Sequence, residues 1–211
     1  MEYHFWGMSV WSIYKDRCSV FSKKITSEKE SSANNILNIF KIYAKGLNDM
    51  LHPDVRVRSF RDVDRALLKR FQIKAVVYDI DETLVPFGES LPSGEIKTYF
   101  KQLKEDGVLA ALVSNSPRAR VSKFADKLQI PYFYRAGKPF IKGLRAAQNI
   151  FGLQSNEIAM VGDQIFTDIL AGRRAGMLTI LVDPVLDRDS VFFKCKRAAE
   201  RIILRKKGRE G

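Results

Sequence analysis

The sequence predicts an α/β fold, a Rossmann-like parallel sheet with helices on both faces. Short apolar runs of the kind found in buried parallel strands recur from residue 75 onward. Segments with helical apolar spacing separate these runs, so strands and helices alternate along the chain. With 211 residues and 45% apolar content, the chain can bury a sizeable core without disulfides or metals.

Five strands are predicted, each from a short apolar run. They span residues 75–78, 108–113, 131–134, 158–161 and 179–182. The first run, Ala-Val-Val-Tyr, contains no charged residue, as expected of a strand that is buried on both faces. A turn rich in proline and glycine follows it over residues 86–94.

Four helices are predicted between these strands. They span residues 94–105, 117–128, 140–151 and 165–175. Ser93 can cap the first helix, and Gly107 lies just beyond its end. Pro117 takes the first position of the second helix, and Gly152 follows the last residue of the third.

Both ends of the chain lie outside this alternation. We therefore expect an N-terminal extension (1–51), a core (52–187) and a basic C-terminal helix (188–211). A helix that packs on the core or lies on a membrane surface is predicted within the extension, and a targeting role for the extension stays open. This helix rests on apolar residues at steps of three and four: Ile36, Phe40, Tyr43, Leu47 and Met50.

Positive charge is concentrated at the C-terminal end. The chain has 36 Lys and Arg against 24 Asp and Glu, a net charge of +12. Residues 188–211 hold nine basic and three acidic residues, which is half of that excess. Apolar side chains from Phe192 to Ile202 recur there at helical spacing, which is typical of a membrane-surface helix. Packing of this apolar stripe on the sheet is an equal alternative, and no transmembrane segment is expected, because no apolar run approaches about 18 residues.

Cysteine and histidine are too few for several kinds of chemistry. Cys18 and Cys195 form no C-x-x-C pair, so neither a zinc site nor a disulfide framework is indicated. His4 and His52 have no metal-ligand partner at helical spacing. Any catalysis must therefore rest mainly on carboxylates, hydroxyls and lysines.

Polar residues follow four of the predicted strands, at the ends where open α/β sheets bind ligands. In chain order they are Asp79, Asp81, Thr83, Ser114, Asn115, Lys138, Asp163 and Asp168. Asp79 and Asp81 are two residues apart, so both can face one site in extended chain. Crowded carboxylates need a cation or a shared proton, and hard oxygen ligands suit Mg²⁺. With Ser114 and Lys138 as phosphate ligands, the set predicts phosphoryl transfer through an aspartyl-phosphate.

At these residues the chain resembles the haloacid-dehalogenase-like superfamily of phosphatases. D-I-D-E-T matches its first motif, Ser114 its second, Lys138 its third and G-D-Q-I-F-T-D its fourth. Longer stretches, among them Y-D-I-D-E-T-L-V-P, V-S-N-S and A-G-K-P, are similar to the YqeG-type, class IIIA branch. The resemblance covers residues 52–204. The family usually has Asn at two positions where this chain has Glu82 and Ser116.

The resemblance implies a role for each motif residue. Asp79 would attack phosphorus, and Asp81 would protonate the leaving oxygen and later accept a proton from water. Lys138 would neutralise the nucleophile and the transferring oxygens. The expected phosphate-binding residues are Thr83, Ser114, Asn115 and Lys138, and Thr83 would also support Asp81.

The resemblance also implies a magnesium site. The expected ligand set is Asp79, Asp81, Asp163 and Asp168, with Asp81 acting through its backbone carbonyl. In this set, Asp168 would orient a metal-bound water or Lys138. Mg²⁺ is accordingly the expected cofactor.

Loop lengths bear on the substrate. Only 30 residues separate Thr83 from Ser114, and 21 separate Ser116 from Lys138, so no cap domain fits between the motifs. An open site suits a substrate presented by something large, although a homo-oligomer could supply a lid. The YqeG-type branch includes enzymes resembling phosphatidylglycerophosphate phosphatase. The expected partner is therefore an anionic phospholipid, met by a peripheral enzyme in the cytoplasm or in an organelle matrix or stroma.

The sequence is also compatible with two alternative functions. The same mechanism could serve soluble nucleotide or sugar phosphates. A regulatory or RNA-binding module that uses the basic surface is the alternative without catalysis. We do not expect nucleic acid as a partner, because few aromatic residues are interleaved with the basic run.

Overall fold

Six parallel strands form the sheet in the computed structural model of the protein, which describes residues 49–186. The strands are β1 (Val55–Val57), β2 (Ala75–Tyr78), β3 (Leu109–Val113), β4 (Tyr132–Phe133), β5 (Ile158–Gly162) and β6 (Leu178–Val182). Their order is β1-β6-β5-β2-β3-β4, and every neighbouring pair is parallel. The carboxyl ends of the strands therefore share one edge, here named the carboxyl edge. It consists of residues 79–93, 114–117, 134–141, 163–164 and 183–186.

Helices connect the strands and cover both faces of the sheet. They are α1 (Arg65–Arg70), α2 (Gly94–Glu105), α3 (Arg118–Leu128), α4 (Lys142–Phe151) and α5 (Leu170–Ala175). The Ser93 hydroxyl accepts a hydrogen bond from the backbone N–H of Ile96 at 3.3 Å, which confirms the predicted cap of α2. The described residues contain no cap domain, and the predicted fold class is confirmed.

Two apolar cores lie on opposite faces of the sheet. Strand β2 contributes to both, because its side chains alternate between the faces. Val76 and Tyr78 pack in the core that includes residues of α1, α2 and α3. Ala75 and Val77 pack in the core that includes residues of α4 and α5. With a core on each face, β2 is a rigid base for the residues that follow it.

All five predicted strands and four predicted helices are present, with corrections at helix starts. Pro117 is the N-cap of α3 rather than its first helical residue, because its ψ of 156° is extended. Helix α4 begins at Lys142, two residues later than predicted, because Phe140 closes a turn by donating its N–H to the Gly137 carbonyl at 2.9 Å.

The predicted helix over 165–175 is two segments. A π-helical turn over Ile165–Ile169 precedes α5. The carbonyl of Gln164 accepts from the N–H groups of both Asp168 and Ile169, at 2.9 and 3.2 Å. This wider turn was not predicted, because apolar spacing does not separate a π-turn from the start of an α-helix.

Strand β1 and helix α1 were not predicted from the sequence. Strand β1 has three residues and lies at the edge of the sheet beside β6. The carboxylate of Asp54 fixes its start by accepting from the backbone N–H of Thr179 at 2.9 Å and from the Thr179 hydroxyl at 2.8 Å. Arg173 forms an ion pair with Asp54 at 2.7 Å. Contacts across 125 residues of sequence cannot be inferred from a short local pattern.

The predicted amphipathic helices of the two ends lie outside the described residues, apart from 49–51, which are helical. The division at 51 and 187 stays a prediction. In the part of the chain that the structure describes, no helix has both the length and the apolar character needed to cross a membrane.

Candidate active site

The residue that follows β2 lies at the centre of the carboxyl edge. Asp79 continues the sheet by donating its backbone N–H to the Val161 carbonyl at 3.0 Å. Its side chain is buried, and one carboxylate oxygen accepts from the Lys138 ammonium at 2.7 Å. The same ammonium lies 2.7 Å from a carboxylate oxygen of Asp168. Residues from three loops therefore converge on one point, as the sequence predicted.

Lys138 is held in place by its neighbour across the edge. Its backbone N–H donates to the side-chain oxygen of Asn115 at 2.8 Å, and the Asn115 amide donates back to the Lys138 carbonyl at 3.1 Å. This reciprocal pair fixes the loop that carries the ammonium. The structure places the Asn115 side chain on the Lys138 backbone, and phosphate binding by Asn115 stays a prediction.

Three buried carboxylates lie together beside Lys138. Asp79, Asp163 and Asp168 each offer an oxygen within 4.8 Å of the others. Asp168 is oriented by accepting from the Gln164 N–H at 3.1 Å with its second oxygen. A Cβ at Gly162 would lie 2.3 Å from the Asp168 Cβ, so glycine is required there. Carboxylates outnumber the ammonium in this cluster, which is the arrangement that a divalent cation relieves.

Burial and neighbouring opposite charges act in opposite directions on the pKa values of Asp79 and Lys138. Burial raises the pKa of Asp79 to about 6, and the repulsion of Asp168 adds to it, although the nearby Lys138 ammonium lowers this pKa. Burial lowers the pKa of Lys138, but the carboxylates of Asp168 and Asp79 outweigh it and leave that pKa raised. Lys138 is therefore a fixed cation, and Asp79 is ionised at neutral pH.

Asp81 lies apart from the three-carboxylate cluster. One of its oxygens accepts from the Ser116 hydroxyl at 2.6 Å, and the other accepts from the Arg120 Nε at 3.0 Å. A second guanidinium nitrogen of Arg120 contacts the same oxygen, so the ion pair is bidentate on the arginine side. Donors on both of its oxygens thus hold the Asp81 carboxylate in place.

Arg120 was missed by the sequence reading. It stands in the first turn of α3, directly after the loop of Ser114 to Ser116. Its other terminal nitrogen contacts the Glu89 carbonyl, so it also ties down the loop after β2. The available signal was its position in the first helical turn after a strand-end motif. That position alone does not distinguish Arg120 from the many other arginines of the chain.

The remaining predicted residues also lie at this edge. The Thr83 hydroxyl donates to an Asp163 oxygen at 3.3 Å, which places it on the carboxylate side of the site. The buried Ser114 hydroxyl accepts from the Ser116 N–H at 3.2 Å. The resemblance implied that Thr83 supports Asp81. In the structure, Thr83 contacts Asp163, and Ser116 and Arg120 hold Asp81.

Glu82 is a further residue that the sequence reading left without a role. It is buried with a φ of 63°, and its two carboxylate oxygens accept from the backbone N–H groups of Phe87 and Leu186 at 3.1 and 2.9 Å. Its carbonyl accepts from the Val185 N–H at 2.9 Å. Glu82 therefore joins the loop after β2 to the segment after β6.

Comparison with known proteins agrees with this fold and site. Residues 135–184 match the family model described as HAD-hydrolase-like. The chain is 34% identical over 159 residues to the probable phosphatase YqeG of Bacillus subtilis (strain 168), covering 75% of this chain and 92% of that protein. The chain therefore belongs to the haloacid-dehalogenase-like superfamily, in its YqeG-type branch. It is a phosphatase that acts on phosphate monoesters.

More distant similarities extend beyond bacterial YqeG. The chain is 32% identical over 177 residues to phosphatidylglycerophosphate phosphatase 1, chloroplastic/mitochondrial, of Arabidopsis thaliana. That match covers 75% of this chain but 49% of the plant protein, so the chain spans about half the length of that relative. A subfamily III A hydrolase structure from Legionella pneumophila has 23% identity and a TM-score of 0.38, over 46% of this chain and 59% of that one.

Proposed function

We propose that this phosphatase converts phosphatidylglycerophosphate to phosphatidylglycerol and phosphate, through an aspartyl-phosphate at Asp79 and with Mg²⁺. The observation that carries the chemistry is the Lys138 ammonium, 2.7 Å from both Asp79 and Asp168. An ammonium fixed there orients the nucleophilic carboxylate and supplies positive charge where phosphoryl oxygens would lie. The lipid substrate rests on the plant relative, the open edge and the basic C-terminal residues.

The residues beside Asp79 fit a divalent cation. They are buried oxygen donors within 4.8 Å of one another, with one ammonium to balance three carboxylates. Asp79, Asp163 and Asp168 would hold Mg²⁺, together with the backbone carbonyl of Asp81 that the resemblance implies. When bound, Mg²⁺ supplies positive charge that neutralises the phosphoryl oxygens.

In the first half of the proposed reaction, an Asp79 oxygen attacks phosphorus. The bond from phosphorus to the leaving oxygen breaks, and Asp81 gives its proton to that oxygen, which leaves as an alcohol. Lys138 keeps Asp79 oriented and stabilises the charge on the transferring group. Ser114 would donate a hydrogen bond from its hydroxyl to a phosphoryl oxygen.

In the second half, water attacks the phosphorus of the aspartyl-phosphate. Asp81 accepts the proton of that water, the bond between phosphorus and Asp79 breaks, and phosphate leaves. The Asp81 carboxylate must keep the same position in both halves of the reaction. Its hydrogen bonds from Ser116 and Arg120 hold it in that position. The cycle returns both carboxylates to their starting state.

The open carboxyl edge favours a substrate that remains part of a larger surface. A lipid headgroup can reach Asp79 without passing a cap, because the described residues contain none. The chain would then act as a peripheral protein at a membrane face of the cytoplasm or of an organelle matrix or stroma. Membership in a phosphatase superfamily favours an enzyme over the regulatory or RNA-binding alternative.

The test is phosphate release with Mg²⁺ from phosphatidylglycerophosphate in mixed micelles, beside a panel of soluble nucleotide and sugar phosphates. Asp79→Asn and metal chelation should each abolish turnover. Asp126→Asn, at an exposed position of α3, is the matched control and should leave turnover unchanged.

Each outcome separates one part of the proposal. Strong lipid turnover that both controls remove supports mechanism and substrate together. Turnover of soluble esters alone keeps the chemistry and rejects the lipid. Full activity of Asp79→Asn would reject Asp79 as the nucleophile.

A further inference from the structure

Exposed apolar side chains are concentrated at the carboxyl edge. Residues 49–186 contain eight large exposed hydrophobic residues, and six of them lie in the loops of this edge. We name these six the apolar rim: Phe87, Leu91, Tyr134, Phe140, Val185 and Leu186. Phe140 is 73% exposed, Phe87 60% and Leu186 58%. Such a cluster around a site marks an interaction surface.

The apolar rim lies on both sides of Asp79. Its members follow β2, β4 and β6, and in the sheet order β4 and β6 are each two strands from β2. Neighbouring strands lie about 4.8 Å apart, so apolar loops flank the nucleophile at roughly 10 Å on each side. A flat surface that touches both flanks would lie across the mouth of the site.

The rim is fixed to the body of the protein. The buried carboxylate of Glu82 holds the backbone N–H groups of Phe87 and Leu186, so one group joins two rim segments. Arg120 contacts the Glu89 carbonyl within the loop that carries Phe87 and Leu91. These side chains are therefore carried by an anchored backbone.

Cationic side chains accompany the rim. Arg118, Arg135 and Lys142 are exposed in or beside the same loops, and the Arg118 guanidinium lies 5.8 Å from the centre of the Tyr134 ring. The exposed acidic residues of the rim loops are Glu89 and Asp183, and Asp183 is paired with Arg56 at 2.9 Å. Apolar side chains with basic neighbours match the interface of a bilayer that contains anionic lipids.

We propose that the apolar rim enters the headgroup region of an anionic phospholipid bilayer and sets the mouth of the site against the lipid headgroups. This inference rests on the proposed function for its substrate, but the surface can be tested without it. The proposal assigns membrane contact to the catalytic face itself, in addition to any contact by residues 188–211.

The experiment measures co-sedimentation of the full chain with vesicles of phosphatidylcholine and phosphatidylglycerol at a ratio of 7:3, in the presence of a chelator. The test variant is Phe87→Ser with Phe140→Ser. The matched control is Leu109→Ser with Ile150→Ser, since Leu109 begins β3 and Ile150 lies near the end of α4, both away from the carboxyl edge. Thermal melting and hydrolysis of p-nitrophenyl phosphate establish that each variant is folded.

We expect vesicle binding to weaken roughly tenfold for each phenylalanine removed, because a partly buried aromatic side chain contributes over 1 kcal/mol. The control should change binding less than twofold. Arg135→Gln with Lys142→Gln should weaken binding about fivefold per charge, and only with anionic vesicles.

Unchanged vesicle binding by the Phe87→Ser, Phe140→Ser variant would overturn the proposal, as would an equal loss in the control. A second outcome would also overturn it: a dimeric wild type and a monomeric variant that bind vesicles equally. The rim would then be an interface between two copies of the chain. If binding depends on the rim but phosphatidylglycerophosphate is not hydrolysed, the proposed substrate fails and the membrane surface stands.

Discussion

Replacement of Lys138 by methionine tests the balance of charge at the site. Methionine keeps much of the length of the lysine side chain and removes its charge. The ammonium forms two ion pairs at 2.7 Å, with Asp79 and Asp168, and its side chain is 2% exposed. Without it, the three neighbouring carboxylates have no cation within the cluster, and water cannot replace the lost partner.

The size of the effect follows from burial. Removal of one partner of a buried ion pair destabilises a protein by about 3–5 kcal/mol. In a domain of this size, that corresponds to a fall in melting temperature of about 6–20 °C. The control Lys142→Met, at the exposed first residue of α4, should change the melting temperature by less than about 2 °C.

The assay is thermal melting of wild type and variant in a chelator, repeated from pH 5 to pH 8 and then with Mg²⁺. Burial raises the pKa of Asp79 to about 6, and loss of the Lys138 charge raises it further. Asp79 of the variant is therefore protonated at a higher pH than Asp79 of the wild type, and this protonation relieves the repulsion. The deficit of the variant should shrink as the pH falls from 8 towards 6 and should stay constant below 6. Mg²⁺ should stabilise the variant more than the wild type, because the metal replaces the missing positive charge.

A metal-free Lys138→Met protein that melts within 2 °C of wild type at pH 8 would refute this reasoning. It would mean that the carboxylates are relieved by solvent or by proton uptake rather than by the ammonium. A deficit that does not depend on pH would assign the loss to packing alone.

Three further predictions concern neighbouring residues. Folding raises the pKa of Asp79 from 3.8 to about 6, so this residue favours the folded state below pH 4 and loses that contribution, about 3 kcal/mol, as the pH rises through 6. The value of about 6 already includes the attraction of Lys138, and Asp168 remains as a partner of the ammonium in Asp79→Asn. This variant should therefore melt above wild type at pH 7.5 in a chelator, and the difference should vanish near pH 4. Arg120→Met should lower kcat about 10–100-fold, more for esters with poor leaving groups, because it acts through Asp81. Gly162→Ala should lower Mg²⁺ affinity at least about tenfold in calorimetric titration, because its Cβ would meet Asp168.

Controls accompany each of these. Asp126→Asn should not change the pH dependence of melting, and a wild type more stable than Asp79→Asn at pH 7.5 would contradict the sign. Arg120→Lys should recover part of kcat, whereas an equal loss for all leaving groups would separate Arg120 from proton transfer. Gly94→Ala, where a Cβ meets nothing within 4 Å, should leave Mg²⁺ affinity unchanged. Unchanged affinity in Gly162→Ala would mean that Asp168 is not a ligand.

The sequence was most informative where one local pattern decides the structure. Strand β2 is an apolar run flanked by polar residues, and its position follows from that pattern alone. The convergence of Asp79, Lys138 and Asp168 follows from the parallel sheet, because each comes after a strand and the ends of parallel strands meet at one edge. These predictions needed the order of elements but no distances.

Contacts between side chains and distant backbone could not be predicted. The two hydrogen bonds between the Asn115 side chain and the Lys138 backbone were not predicted. Arg120 reaches Asp81 across 39 residues, and no local pattern selects it from other arginines. Strand β1 was missed because its three residues, two half-buried and one exposed, carry too little signal, and their pairing with β6 is non-local.

The bond between Glu82 and the Leu186 N–H joins residues 104 positions apart. The contacts of Lys138 with Asp79 and of Thr83 with Asp163 likewise span 59 and 80 positions. During synthesis, the first motif leaves the ribosome long before the residues that complete it. A nascent chain that ends before residue 168 therefore contains the nucleophile without all its charged neighbours, and one that ends before residue 186 lacks a partner of Glu82. Such non-local pairing also slows folding relative to helical proteins of the same size.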